Sequence, residues 1–442
     1  MNKMIVRQLA NRTRRISTVG LTHHTNWELI QPLFITSCRG FADSVMNRGV
    51  SSTSTSSSFE DSNLTNSRSD IIFGELIEHA IDLRSVRPGD KIHIPYELTI
   101  SESMQDFWHS AFHSQDRIST SRPFARKIGL QDRVLPFYLV LFLASSMTHA
   151  DSAKLQVGFG RASYVWPAFA GDTFTKTFEV HSIRNTSDGN HSIFHFTCHL
   201  INQRNRICMT ADKRMLFQFK VPDSYSRDMS SFTNTPSPHI FQNHLVSKGS
   251  ILNDLGSQSL TQLYAGQLIL HPMNRSLSLT QIQQLASLVR LTHPRHYDIH
   301  RYNPRTEILI PGGLVLGITS SAASRDFHEI LHEELISCNY VNELHPDEVV
   351  SAMTFVQSIE PINGQGDLET VWVRTVGLKN MDIVQDLQSQ SIPLELFVGK
   401  VKHSRDVEKL CKERIPVLSN KIIVIFDRKL LRQARRQDVF LL

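Results

Sequence analysis

The fold of this chain is decided by residues 155–215, which read LQVGFGRASYVWPAFAGDTFTKTFEVHSIRNTSDGNHSIFHFTCHLINQRNRICMTADKRM. Apolar and polar residues alternate along three parts of this stretch, and a period of two predicts β-strands at 159–166, 174–183 and 193–201. Gly171 and Asp172 separate the first two runs, and a polar stretch around Gly189 separates the last two. Such tight turns join antiparallel neighbours, so the stretch predicts a β-meander.

An apolar block at residues 134–147 precedes the meander. Its length suits a buried helix and is too short to cross a bilayer. A helix followed by a curling antiparallel sheet is the layout of the hot-dog fold, in which the sheet wraps around one central helix. The order of the elements therefore predicts this fold.

The motif FGRASYVWPAFAGDTF, residues 159–174, resembles the core of the MaoC-like hydratases, and in particular their mesaconyl-CoA hydratase branch. The resemblance extends from Phe107 to Thr175 and includes the runs SRPFARKIGL and DRVLPFYLVLFLASSM. It implies a hydro-lyase that acts on acyl thioesters.

The layout repeats later in the chain, after a segment at 222–256 that is rich in Ser, Asn and Pro. The later elements are a helical pattern at 279–291, an apolar segment that opens at Pro311-Gly312-Gly313, a strand beginning within 337–350, and late strands at 369–377 and 421–427. The Tyr164 region matches the Tyr340 region.

This duplication predicts an α+β double hot-dog fold: two fused hot-dog units, each a curled antiparallel sheet around a central helix. The predicted boundaries are 69–220 for the N-terminal unit, 221–256 for the linker and 257–442 for the C-terminal unit. The alternative is one hot-dog unit followed by an unrelated domain.

Composition and charge restrict the classes of partner that the protein is expected to bind. The chain has 442 residues, of which 40% are hydrophobic and 20% are charged, as in ordinary globular proteins. Its net charge of +5 comes from residues 1–41, which contain six Lys or Arg and one acid, so the remainder is neutral. A nucleic-acid footprint and a membrane partner are therefore not expected.

The basic, acid-poor beginning predicts a mitochondrial transit peptide at 1–41 and hence a location in the mitochondrial matrix. Arg39-Gly40-Phe41-Ala42 resembles a processing site with cleavage after Phe41. Residues 42–68 are predicted to be a Ser-rich linker. The alternative is a basic tail without a targeting role.

The chain has five cysteines, and none of them form a C-x-x-C pair. Their scatter argues against a disulfide framework or a zinc site, in agreement with a reducing compartment. We expect no cofactor, because the substrate carries its own coenzyme A or acyl carrier protein. The sequence is compatible with a homodimer.

The second half contains the best catalytic signal, the segment LTHPRHYD at residues 291–298. It contains H-x-x-H-Y-D, a pattern that resembles the mitochondrial 3-hydroxyacyl-thioester dehydratases of type 2, and the resemblance places the catalytic His at His296. Hydratases of this fold carry D-x-N-P-x-H here; this chain keeps Pro294 and His296 and has Leu291 at the Asp position. In the first half, Ser114 and Ser119 stand at the Asp and His positions and Asp116 at the Asn position, which implies a catalytically silent half that shapes the thioester tunnel.

A histidine suits the chemistry, because its imidazole can take a proton from water and deliver one to the α carbon near neutral pH. The enolate-like carbonyl of the transition state needs aimed donors, for which the N–H groups of Gly312 and Gly313 are candidates. Glycine also permits close approach of the thioester to the backbone, although the family often has His where this chain has Pro311.

For the other residues of this segment, a structural interpretation stands beside the functional one. Arg295 either meets the carboxylate of a dicarboxylyl-CoA or pairs with a surface acid. Tyr297 and Asp298 either orient His296 or form a turn. His293 and His296 have the spacing of a metal pair, but no third ligand has suitable spacing, and either ring could be a hydrogen-bonded loop residue.

Two functions follow. The first is a mitochondrial hydratase or dehydratase of enoyl or 3-hydroxyacyl thioesters, with mesaconyl-CoA or a related branched C5 dicarboxylyl-CoA as the substrate that the resemblance favours. The second is a catalytically inactive hot-dog protein that binds acyl thioesters or belongs to a mitochondrial assembly.

Overall fold

The protein is described by a computed structural model that covers residues 83–113, 115–147, 153–226, 239–254, 263–362, 368–398 and 403–434. The transit peptide predicted at 1–41, the linker predicted at 42–68 and Ser114 lie outside the described residues.

Ten antiparallel strands form one continuous sheet in the order β1-β3-β4-β5-β2-β7-β10-β9-β8-β6. The strands are β1 Lys91–Thr99, β2 Ala153–Tyr164, β3 Thr173–Asn185, β4 Ser192–Asn202, β5 Ile207–Phe217, β6 Leu268–Arg275, β7 Ile330–Tyr340, β8 Val350–Pro361, β9 Leu368–Lys379 and β10 Ile422–Gln433. Read outward from the centre, β2-β5-β4-β3-β1 and β7-β10-β9-β8-β6 have the same order. The predicted double hot-dog fold is therefore confirmed.

The two units join where β2 pairs with β7, from Gly158 opposite Asn339 to Ser163 opposite Glu334. A Cβ at Gly158 would collide with the carbonyl oxygen of Cys338. Glycine here allows the two backbones to approach and makes one sheet of two.

One helix lies on the sheet in each unit: α4 Phe137–Ser145 and α8 Gly312–Ser324. Every residue of α4 is buried, as is most of α8, which is expected of helices that are apolar on all sides. The two helices pack together, and a Cβ at Gly313 would collide with the Phe142 ring. Within the described residues no helix has both the length and the apolar character that a membrane span requires.

Further helices surround this framework. They are α1 Glu102–Phe112, α2 Arg117–Thr120, α3 Arg122–Lys127, α5 Ile240–Val246, α6 Gly249–Asp254, α7 Leu279–Leu288, α9 Ile383–Leu387, α10 Glu395–Val398 and α11 Ser404–Arg414. The corresponding helices α1 and α7 both begin with a capping box, in which Ser101 and Ser278 accept the backbone N–H three residues on.

Several elements differ from the predictions. The segment 222–256, predicted to be a linker, contains α5 and α6, with Phe241 and Leu245 buried. The strand predicted to begin within 337–350 is instead the end of β7 at Tyr340 followed by a separate β8 from Val350. Strands β5, β6 and β8 were not predicted.

Candidate active site

A cavity of about 340 Å³ opens at the N-terminus of α8 and is lined by residues of both units. The N-terminal unit contributes the C-terminal end of α4, the first residues of β2 and part of β5. The C-terminal unit contributes residues from the loop between α7 and α8 and from the end of β7. We call this space the main cavity.

His296 lines the main cavity from a short 3-10 turn, Pro294–His296, that begins with a proline. Its Nδ1 lies 2.7 Å from the carbonyl oxygen of Leu309. A carbonyl can only accept, so Nδ1 carries the proton and Nε2 is left with a lone pair. The backbone therefore sets the tautomer in which Nε2 can act as a base.

Burial is the main cause that lowers the pKa of His296 to about 3, and the positive charges of neighbouring basic groups, including Arg295 and Lys213, add to it. The hydrogen bond to Leu309 acts in the opposite direction. The free imidazole is thus neutral near pH 7, and any proton that it takes up is readily passed on.

His293 has a different role. Its Nε2 lies 2.7 Å from the carbonyl oxygen of Ala153, and its Nδ1 accepts the N–H of Arg295 at 3.2 Å. The Nε2 bond fixes the loop to β2, and the Nδ1 bond lies within the loop itself. No group of three His, Cys, Asp or Glu that could hold a metal ion is found in the part of the chain that the structure describes.

The start of α8 offers backbone donors to the main cavity. Pro311 is the N-cap and makes no side-chain cap bond, while Gly312 and Gly313 line the cavity. The first N–H groups of a helix have no acceptor within it, so an uncapped start presents donors and the positive end of the helix dipole. Both glycines therefore lie at the cavity, and their oxyanion role stays a prediction.

Two further polar groups lie beside Gly312. A Cβ at Gly312 would be 2.7 Å from Tyr340 Oη and 3.0 Å from Gln156 Oε1. Tyr340 Oη and Gln156 Nε2 are both buried; the tyrosine hydroxyl lies against the Cys338 thiol, whereas the amide nitrogen has no hydrogen-bond partner among the described residues. A buried donor without a partner is costly, so the Gln156 amide is suited to a polar ligand.

Arg295 lines the main cavity, but its guanidinium is paired at the rim. Its Nη2 lies 3.3 Å from Glu343, whose side chain is 52% exposed, and its Nε donates to the carbonyl oxygen of Glu307. The structure thus shows the surface-acid alternative for Arg295.

Tyr297 does not line the main cavity, contrary to its assignment as a substrate-binding residue. Its hydroxyl donates to the carbonyl oxygen of Leu291, and its ring borders a shallow groove with Phe107 and Leu288. Asp298 accepts the N–H of His300 and forms a turn. Neither side chain hydrogen-bonds to His296.

The corresponding loop of the N-terminal unit has the same backbone hydrogen bond: Ser119 N–H donates to Asp116 as His296 N–H donates to His293. Ser119 lines a separate cavity of only about 90 Å³, together with Asp116 and Tyr138. Burial raises the pKa of Asp116 to about 7, and one of its oxygens accepts the Ile330 N–H at 2.8 Å. His332 of β7 also lines this cavity, and the catalytic silence of the first half stays a prediction.

Lys213 also lines the main cavity and was not predicted from the sequence. It lies on β5, it is 4% exposed, and its Nζ donates to the carbonyl oxygen of Ser145 at 2.7 Å. Its strand neighbours Phe159 and Phe196 are fully buried, so Lys213 occupies an inward position of the alternation. A lysine at an inward strand position is a readable signal once β5 is recognised.

The chain is similar to known proteins in sequence and in fold. No family model matches the chain. The chain is 21% identical over 298 residues to the beta-methylmalyl-CoA dehydratase of Chloroflexus aurantiacus, covering 64% of this chain and 83% of that protein.

Solved structures match the fold over most of the chain. A structure described as a MaoC domain protein dehydratase from Chloroflexus aurantiacus has a TM-score of 0.63 at 16% identity and covers 79% of this chain and 97% of its own. A conserved Mycobacterium tuberculosis protein, described as having a double hotdog fold, has a TM-score of 0.58 at 15% identity and covers 80% and 99%. The chain therefore has a double hot-dog fold and is similar in sequence to a beta-methylmalyl-CoA dehydratase.

Proposed function

We propose that this protein is a hydro-lyase that adds water to enoyl thioesters or removes it from 3-hydroxyacyl thioesters. The observation that carries the proposal is His296. Its Nε2 is held unprotonated, and it lines the same cavity as the uncapped start of α8.

In hydration, Nε2 of His296 takes a proton from a water molecule as the water oxygen bonds to the β carbon. The π electrons of the C=C bond move toward the thioester carbonyl and give an enolate-like state. The imidazolium then delivers its proton to the α carbon, which restores the carbonyl and the neutral ring. The elements of water are added, nothing is oxidised, and dehydration is the reverse.

The enolate oxygen needs donors placed before the reaction begins. The N–H groups of Gly312 and Gly313 supply two, at the positive end of the α8 dipole. The Tyr340 hydroxyl and the Gln156 amide lie close enough to Gly312 to supply more. Because these groups belong to both units, the first unit contributes to the site without a histidine of its own.

For the substrate we propose mesaconyl-CoA or a related branched C5 dicarboxylyl-CoA. The name of the relative from Chloroflexus supports a branched dicarboxylyl thioester, as does the resemblance of residues 159–174 to the mesaconyl-CoA hydratase branch. The thioester is carried by coenzyme A or by acyl carrier protein, and the reaction requires no further cofactor.

The proposal is tested with purified protein and a panel of enoyl-CoA esters, including mesaconyl-CoA and crotonyl-CoA. The expected result is a loss of the enoyl-thioester absorbance that depends on protein concentration. Absence of turnover with every ester, in both directions, would refute the hydro-lyase proposal.

A specific observation supports a second candidate, a non-catalytic acyl-thioester binder. Glu343 is the only carboxylate among the described residues that line the main cavity, and it is paired with Arg295 at the rim. Leu291 stands where related hydratases have their Asp. Binding of a saturated acyl-CoA by a protein without turnover would favour this candidate.

We also propose a location in the mitochondrial matrix, supported by the basic, acid-poor composition of residues 1–41. Import of the full chain into isolated mitochondria, with shortening by about 41 residues, is the expected result. Failure of import, or import that does not depend on these residues, would contradict it.

A further inference from the structure

The main cavity contains a buried cation that the mechanism does not use. Lys213 lines the cavity and is 4% exposed, and its ammonium has one acceptor among the described residues, the carbonyl oxygen of Ser145. An ammonium group has three N–H donors, so two remain for other acceptors. A buried charge is costly unless a partner of opposite charge reaches it.

The other charged side chains around the cavity do not provide this partner. Glu343 pairs with Arg295 at 3.3 Å on the exposed rim. Lys154 also lines the cavity, but its Nζ lies 3.2 Å from His191 Nε2. The positive charge of Lys213 therefore lacks a carboxylate among the described side chains of the cavity.

Lys176 is a second buried lysine at the C-terminal end of α4, and its contacts are structural. It is 5% exposed, and its Nζ donates to the carbonyl oxygen of Ser146 at 3.0 Å and to the Ser146 hydroxyl at 2.8 Å. Both lysines thus satisfy carbonyls at the C-terminal end of α4, where positive charge is favourable. Lys176 is not among the residues that line the main cavity, whereas Lys213 is.

We propose that Lys213 determines substrate specificity by binding a carboxylate carried by the acyl chain, at the end remote from the thioester. The inference rests on the proposed function and assigns it a residue: the ammonium selects dicarboxylyl thioesters over neutral acyl thioesters. A carboxylate accepts the free N–H donors and neutralises the buried charge. A neutral acyl chain does neither.

The test compares Lys213→Met with the matched control Lys176→Met, since each removes one buried ammonium at the end of α4. The specificity constant kcat/KM is measured for mesaconyl-CoA and for crotonyl-CoA, which lacks the carboxylate. We expect Lys213→Met to lower kcat/KM for mesaconyl-CoA by roughly 100-fold and for crotonyl-CoA by less than about threefold, since only the former loses a buried ion pair. Lys176→Met should leave the ratio of the two constants unchanged.

The inference would be overturned if Lys213→Met lowered kcat/KM equally for both substrates. It would also be overturned if Lys176→Met changed the ratio of the two kcat/KM values as much as Lys213→Met does. If Lys213→Met does not fold, the same two kcat/KM values are measured for Lys213→Gln, and their ratio is compared with that of the wild type. A wild-type protein that handles crotonyl-CoA as well as mesaconyl-CoA would refute selection by charge.

A binding measurement separates this inference from the proposed reaction. Titration calorimetry with succinyl-CoA and butyryl-CoA, which cannot be hydrated, should show tighter binding of succinyl-CoA that is lost in Lys213→Met. If that preference is present but no thioester is turned over, the hydro-lyase proposal fails and the Lys213 assignment stands. If the wild type shows no preference, the Lys213 assignment fails.

Discussion

Replacement of His296 by asparagine separates its chemical role from its structural role. The Nδ1–H of His296 donates to the carbonyl oxygen of Leu309 at 2.7 Å, whereas Nε2 is the proposed base. The amide nitrogen of asparagine can occupy nearly the position of Nδ1, so His296→Asn keeps this donor and deletes the base. His296→Ala deletes both.

The expected magnitudes follow from these contacts. Loss of general acid–base catalysis lowers turnover by about 10²- to 10⁴-fold, or roughly 3–5 kcal/mol of activation free energy, in both variants. His296→Ala also leaves the Leu309 carbonyl without its partner, which should reduce the unfolding free energy by about 1–2 kcal/mol. His296→Asn should stay within about 0.5 kcal/mol of wild type because the hydrogen bond is retained.

The assay combines initial rates of mesaconyl-CoA hydration with urea unfolding of the same preparations. We expect equal loss of activity and unequal stability in the two variants. More than about a tenth of wild-type turnover in His296→Asn would refute the role of His296 as the base, because an amide cannot act as a general base or acid near neutral pH.

Four further predictions concern the roles of individual residues in and around the site. Ser119→Ala should leave turnover within about twofold of wild type, since hydroxyls of normal pKa are poor bases; a large drop in the hydration rate would assign chemistry to the first half. Tyr297→Phe should leave kcat/KM unchanged and reduce the unfolding free energy by about 1 kcal/mol, because its hydroxyl bonds the Leu291 carbonyl and the Ser287 side chain rather than the substrate; altered kinetics would place Tyr297 in the active site. Gly312→Ala should lower kcat/KM by at least roughly tenfold, because the new Cβ would be 2.7 Å from Tyr340 Oη and would displace a donor from the reacting carbonyl; unchanged kinetics would move the oxyanion site elsewhere. Burial lowers the pKa of Lys213 to about 8, so kcat/KM for mesaconyl-CoA should fall as the pH rises through that value and the ammonium is lost, whereas kcat/KM for crotonyl-CoA should show no such limb.

Local sequence patterns were sufficient to predict strands and helices whose apolar spacing and turn residues are contained in their own segment. The runs at 174–183 and 193–201 lie within β3 and β4, and the apolar block at 134–147 contains α4. Alternation and turn glycines identify such strands without knowledge of their partners. The spacing of Tyr164 and Tyr340 revealed the duplication because each residue ends the strand at the centre of the sheet.

Elements that depend on tertiary contacts were missed. Helix α5 has only seven residues, too few to be stable alone, and it is held by packing of Phe241 against Tyr164 and His332. Its surroundings, rich in Ser, Asn and Pro, therefore suggested a linker.

The candidate site likewise contains residues that the sequence identified and residues that it did not. His296, Gly312 and Gly313 belong to one stretch of chain, and their types and order pointed to proton transfer and carbonyl binding. Gln156 and Lys213 come from the other unit and reach the main cavity only because the two sheets join along β2 and β7. No spacing in the sequence encodes that joint, so only the structure shows that these residues reach the main cavity, although the inward strand position of Lys213 is readable once β5 is recognised.

Water addition catalysed by His296 is tested by hydration of mesaconyl-CoA in H₂¹⁸O, followed by mass spectrometry of the product. We expect wild-type protein to form a 3-hydroxyacyl thioester with one ¹⁸O in its hydroxyl group, and His296→Asn to form almost none in the same time. Labelled product at the wild-type rate from His296→Asn, or no labelled product from wild type on any enoyl thioester, would refute catalysis by His296.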